Sequence, residues 1–128
     1  MSDSNLRVLV MEPLAPPCIK EIPNELKDMQ AIVDGYIQTI PCENGLVMVV
    51  NEEGRLRMLP YNLKADLLTS YGPIVGTVFI TKAEGEEFVS LTDEDVASAL
   101  QNKLKDRCEL SGHIHPVFNQ IFNTTFRL

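Results

Sequence analysis

The sequence predicts an α+β domain, with a mixed or mostly antiparallel sheet of about five strands packed on two to three helices. Three observations predict it. Residues 35–62 alternate strand-like runs with tight-turn residues, and residues 74–81 are rich in β-branched and aromatic side chains. Helix-spaced apolar residues also follow capping residues at Asn24, Asn62 and Thr92.

Residues 1–5 are a polar, loose start, and residues 6–11 read as a first strand. Pro13, Pro16 and Pro17 then stiffen a loop, after which residues 17–22 return as a short edge strand. Asn24 is placed to cap a helix over residues 25–34. Leu26, Met29 and Val33 share one face of that helix, and Gly35 stands where a left-handed terminator is wanted. Met29 reads as core.

The stretch 35–62 reads as a three-strand meander. Tyr36, Gln38 and Ile40 alternate with Ile37 and Thr39. Asn44-Gly45 supplies the positive φ of a tight hairpin, and residues 46–50 form an apolar run expected of a strand covered on both sides. A second turn over residues 51–54 leads into a third strand at 55–59, where Leu56 and Met58 alternate with Arg55 and Arg57 and mark one wet face. Pro60 cannot donate to a ladder, and Asn62 caps a short helix over 63–68.

Tyr71-Gly72-Pro73 is a turn, and residues 74–81 are the most strand-like of the chain, with Gly76 marking a bulge or a close backbone approach. An acidic loop at 83–87 and a short extension at Phe88-Val89-Ser90 follow. Thr92 and Asp95 form a capping box, with Leu91 and Val96 at the spacing of a hydrophobic staple. Val96, Leu100 and Leu104 make the buried stripe of that helix, and Lys103, Lys105 and Arg107 suit its C-terminal dipole. The organisation is therefore a loose start at 1–5, a core domain at 6–107 and a C-terminal extension at 108–128. In the extension Phe118, Phe122 and Phe126 are spaced as one helical stripe, either docked on the sheet or exposed for a homodimer or a partner's groove.

The 128 residues suffice for one domain with a core, and the net charge of -7 argues against non-specific binding to nucleic acid or anionic membrane. Three cysteines, Cys18, Cys42 and Cys108, lack CxxC spacing and read as reduced thiols of a cytoplasmic protein. No apolar run approaches the roughly 20 residues of a membrane span.

Catalytic signatures are missing. No Walker-type or GxGxxG loop occurs, and Ser70 and Ser111 lack a nucleophile-elbow context. The acids around Asp93 are explained by the helix start, so no metal is assigned to them and no cofactor is expected. His113-Ile114-His115-Pro116 resembles the HxHP motif of metal-dependent isopeptidases of the JAMM type, and two histidines on alternate strand positions could share a zinc. That family needs a later Ser and Asp, and after His115 the chain has neither Asp nor Glu, which leaves Cys108 or Glu109 as third ligand. A loop histidine pair before a Pro-initiated helix is the simpler reading. The remaining candidate site is the pair of turns carrying Asn51, Glu52, Arg55, Tyr61 and Asn62, which could hold a small polar ligand or a protein loop. Its ordinary alternative is that Asn51 and Asn62 satisfy turn and cap backbone groups while Glu52 and Arg55 are solvated.

The segments LRVLVME (6–12), QAIVDGY (30–36), NEEG (51–54), LPYN (59–62), IVGTVFI (74–80) and SLTDED (90–95), in that order, resemble a small uncharacterised family. Its members are common in bacteriophages and mobile elements and are known only as a domain of unknown function. The resemblance covers roughly residues 6–104. Relatives often have Arg after the asparagine of LPYN, where this chain has Leu63, which takes a basic group away from that turn. The resemblance implies a setting, the cytoplasm of a host cell, and no mechanism. The expected function is a non-catalytic accessory protein that binds a host protein and interferes with host defence. A binder or sponge for a signalling nucleotide is the second expectation, and a metal-dependent hydrolase using His113 and His115 the third.

Overall fold

The computed structural model describes residues 5–102. The extension at 108–128, with His113, His115, Phe118, Phe122 and Phe126, lies outside the described residues, as do Leu104, Lys103, Lys105 and Arg107 of the expected last helix.

The inner strands form on largely apolar runs, and the strands end at proline or turn residues. They are β1 (Asn5–Met11), β2 (Cys18–Pro23), β3 (Ile37–Pro41), β4 (Leu46–Asn51), β5 (Val78–Glu84) and β6 (Glu87–Val89). The helices are α1 (Leu26–Val33), α2 (Leu63–Asp66) and α3 (Asp93–Ala97), the last continuing as a π-helical turn over Ser98–Asn102. The sheet runs β2-β1-β5-β4-β3, with β6 paired to the far end of β5, and every strand pairing is antiparallel. The expected α+β architecture is therefore the observed one.

Side-chain parity sorts the core into two layers. Leu6, Val8 and Val10 of β1 share a face with Val49 and Phe79, and α1 covers that face with Met29 and Val33. Leu9, Met11, Met48, Val78 and Ile80 point the other way, against Ala65 and Leu68 and against Leu91, Val96 and Leu100 around α3. Both faces of the middle strands are thus covered, which is why these strands read as apolar runs and not as alternations. Phe79 is fully buried at the centre; truncating such a residue to alanine costs about 3–5 kcal/mol.

The hairpin expected at Asn44-Gly45 is present, with φ of 62° and 77° at the two residues and Ile37 paired to Asn51 through Pro41 paired to Val47. The capping box at Thr92 is also present, with both reciprocal hydrogen bonds made. Asn62 caps α2, its side chain accepting from the Ala65 amide.

Other expectations are corrected. The third meander strand at 55–59 does not form, because β5 already occupies the free edge of β4 on the side away from β3. The segment closes on itself instead: the Gly54 amide donates to Asn51 O, Arg57 to Glu53 O and Leu59 to Gly54 O. Leu56 and Met58, expected on a covered face, are 82% and 87% exposed. At α1 the N-cap is Glu25, without a side-chain hydrogen bond, and not Asn24. Asp34, and not Gly35, takes the left-handed conformation (φ 63°, ψ 46°) that ends α1, and Leu26 is exposed in its first turn. The strand expected at 74–81 begins at Val78, since Gly76 turns the chain with φ 76° and brings it so close to Leu59 that an added Cβ would lie 2.8 Å from Leu59 Cδ1. The acidic loop is shorter than expected, because β5 runs to Glu84 and pairs it with Glu87.

Candidate functional site

Asn51 and Asn62 sit where β4 and α2 meet the turns, and both are buried. Asn51 Nδ2 donates to the carbonyls of Val33 and Asp34, each at 3.0 Å, and its Oδ1 accepts from the Glu53 amide at 2.7 Å. Asn62 Nδ2 donates to Met11 O at 3.0 Å and to Gly76 O at 2.8 Å, while its Oδ1 accepts from the Ala65 amide. Each amide thereby holds three backbone groups. A buried amide with its donors and acceptor used in this way fixes loops.

Glu52 and Arg55 belong to a cavity of about 260 Å³, lined also by Gln38, Val50, Asn51, Tyr71, Pro73, Ile74 and Val75. Its floor is aliphatic, with Val50 and Ile74 buried. Arg55 is held across the rim: Nε donates to Pro73 O at 3.0 Å, and the guanidinium lies over the Tyr71 ring, 5.5 Å from its centroid. Gln38 Nε2 donates to the Tyr71 hydroxyl at 2.7 Å, tying the edge strand to the same loop. Tyr61 and Asn62 stand apart from this cavity, and the Tyr61 hydroxyl donates to the Asp66 carboxylate. Of the five turn residues singled out by sequence, the structure thus brings three, Asn51, Glu52 and Arg55, to the cavity and leaves Tyr61 and Asn62 outside it. Gln38 and Tyr71 were not foreseen. Their signal was slight: Gln38 shares the parity of buried Ile40 and is a polar residue where an apolar one is the rule.

The loop between β4 and α2 projects beside the cavity. Its base is fixed by Asn51, by Arg57 donating to Asp34 O at 2.6 Å and pairing with the Asp34 carboxylate at 3.1 Å, and by the Glu52 amide donating to Tyr36 O. Gly35 allows this closure through proximity: a Cβ there would lie 2.6 Å from Asn51 Nδ2. At the tip, Met58 holds a φ of 57°, a left-handed conformation that costs a non-glycine residue about 1–2 kcal/mol. The tip side chains Leu56 and Met58 face solvent.

Elsewhere, burial lowers the pKa of the Lys64 ammonium. The Asp95 carboxyl is held below its ordinary range, first by the Thr92 backbone amide and then by the Thr92 hydroxyl and the Lys82 ammonium, against an opposing push from burial. Cys18 is exposed and Cys42 half-buried, and both are thiols. Among the described residues no group of three His, Cys, Asp or Glu is placed to hold a metal ion, and no helix is long and apolar enough to cross a membrane.

No curated protein and no solved structure matches the chain. Residues 6–107, from the start of β1 to beyond the π-helical turn, match the family described as a domain of unknown function (DUF3846), and the chain belongs to that family.

Proposed function

We propose that this chain is a non-catalytic accessory protein of a phage or mobile element that binds a protein of the host cell, with interference in a host defence system as its role. The phage setting rests on the resemblance of the ordered segments described above. One structural observation supports binding as the mode of action: the tip of the loop after β4 combines a firmly held base with exposed Leu56 and Met58 and a left-handed backbone at Met58. A loop relaxed for its own sake would put glycine at that φ and polar residues at the tip. Strain kept at a solvent-facing apolar tip is a mark of contact surfaces. The two exposed apolar side chains are matched by a partner that offers an apolar pocket. The net charge of -7 favours a neutral or basic surround for that pocket.

The test is affinity capture from a bacterial host lysate with the wild-type chain and with the double variant Leu56→Ser, Met58→Ser, both at matched thermal stability. The reading expects one partner, retained in stoichiometric amount by the wild type and lost at least tenfold with the variant. Equal capture by both chains, or no stoichiometric partner, rejects it.

A further inference from the structure

We propose that the cavity between β3, β4 and the Tyr71–Ile74 turn is a binding site for a small zwitterion, of the free α-amino acid class. Its lining includes one residue of each sign, Glu52 and Arg55, three positions apart in the loop after β4. The side-chain ion pairs among the described residues are Arg7–Asp93, Arg57–Asp34 and Lys82–Asp95, so within the described residues Glu52 and Arg55 neutralise neither each other nor a third residue. Arg55 is oriented without using its terminal amines. Nε goes to Pro73 O, the guanidinium plane rests over Tyr71 and Nη2 lies beside Gly72; neither Nη makes a hydrogen bond among the described residues, so both remain to donate to a carboxylate. Gln38 is oriented in the same manner, its Nε2 committed to the Tyr71 hydroxyl and its Oε1 left as an acceptor.

The ligand class follows from this set of vacant groups. A carboxylate matches the Arg55 fork, an ammonium matches Glu52 and Gln38 Oε1, and an aliphatic side chain matches the floor of Val50 and Ile74. A simple anion or cation would meet a like charge on one wall. An apolar ligand would desolvate both charged groups without pairing either. Size also selects: about 260 Å³ falls just under the roughly 300 Å³ at which drug-sized ligands begin to fit. This assignment is independent of the Leu56–Met58 projection, although one loop carries both.

The test is a titration of the ¹⁵N-labelled chain with each standard amino acid at millimolar concentration, with adenosine monophosphate in parallel. The expected result is saturable shifts at the amides of Glu52, Arg55 and Tyr71 with an aliphatic amino acid. Kd should rise about tenfold or more in Glu52→Gln and in Arg55→Gln, as loss of a charge-assisted pair demands, and stay unchanged in Leu56→Ser, Met58→Ser. Saturation by the nucleotide alone, shifts that persist in both charge variants, or no saturable shift with any amino acid overturns the proposal. Because the Leu56, Met58 variant is a separate arm, failure here leaves the protein-binding reading standing, and the reverse holds too.

Discussion

The side-chain amide of Asn62 donates to the carbonyl oxygen of Met11, joining the last residue of β1 to the start of α2 across 51 residues of sequence. The same nitrogen serves Gly76 O, just ahead of β5, so one side chain sets the approach of three segments.

Asn62→Ala removes both of these bonds and the α2 cap, and it leaves buried carbonyls without donors. The expected loss is about 2–4 kcal/mol of unfolding free energy. Urea denaturation measures it, and a loss under ~1 kcal/mol would show that water or a shifted loop replaces the amide.

Gly35 and Gly45 separate two reasons for glycine. Gly45→Ala places its Cβ 4.0 Å from Ala83 O, an ordinary contact, and so faces chiefly the cost of a φ of 77°, about 1 kcal/mol. Gly35→Ala drives a Cβ to 2.6 Å from Asn51 Nδ2 and displaces the amide that holds the loop, so it should cost more, about 2–3 kcal/mol. The comparison is made by chemical denaturation of both variants, and a reversed order would reject it.

Met58→Gly is expected to stabilise the fold by about 0.5–1 kcal/mol, since it relieves a φ of 57° at a side chain that is 87% exposed. The gain is partly offset by the greater freedom of glycine in the unfolded chain. A thermal melt reads the change. Destabilisation by more than ~1 kcal/mol would mean that Met58 packs in solution.

The α3 capping box gives a pH-dependent term. Asp95 has a lower pKa folded than unfolded, so its contribution is complete above the unfolded value near 3.9 and is lost as pH falls through the folded value. Wild type should therefore exceed Asp95→Asn in stability at pH 6, and the gap should close toward pH 3. Unfolding curves of both proteins at several pH values check this, and a gap constant with pH counts against it.

The hairpin at Asn44-Gly45 and the caps at Asn62 and Thr92 were legible in the sequence because each depends on residues a few positions apart. The third meander strand was misread for the opposite reason. Leu56 and Met58 do alternate with arginines, but whether such a segment becomes a strand depends on a vacant neighbour, and β4 has none once β5 is in place. The candidate cavity shows the same division. Glu52 and Arg55 lie in an evident turn, whereas Gln38 and Tyr71 join them only through the long-range meeting of β3 with the turn before β5.

The position of β5 between β1 and β4 also bears on how the chain is made. β1 with β2, and β3 with β4, are neighbours in sequence and can each close a short loop early. The strand that joins them is synthesised after both. Without residues 78–84 the inner edges of β1 and β4 have no strand between them, and their backbone groups there are unpaired. A chain ending before Val78 lacks the strand that joins the two hairpins. Joining the two hairpins through the central strand is a long-range step of high contact order.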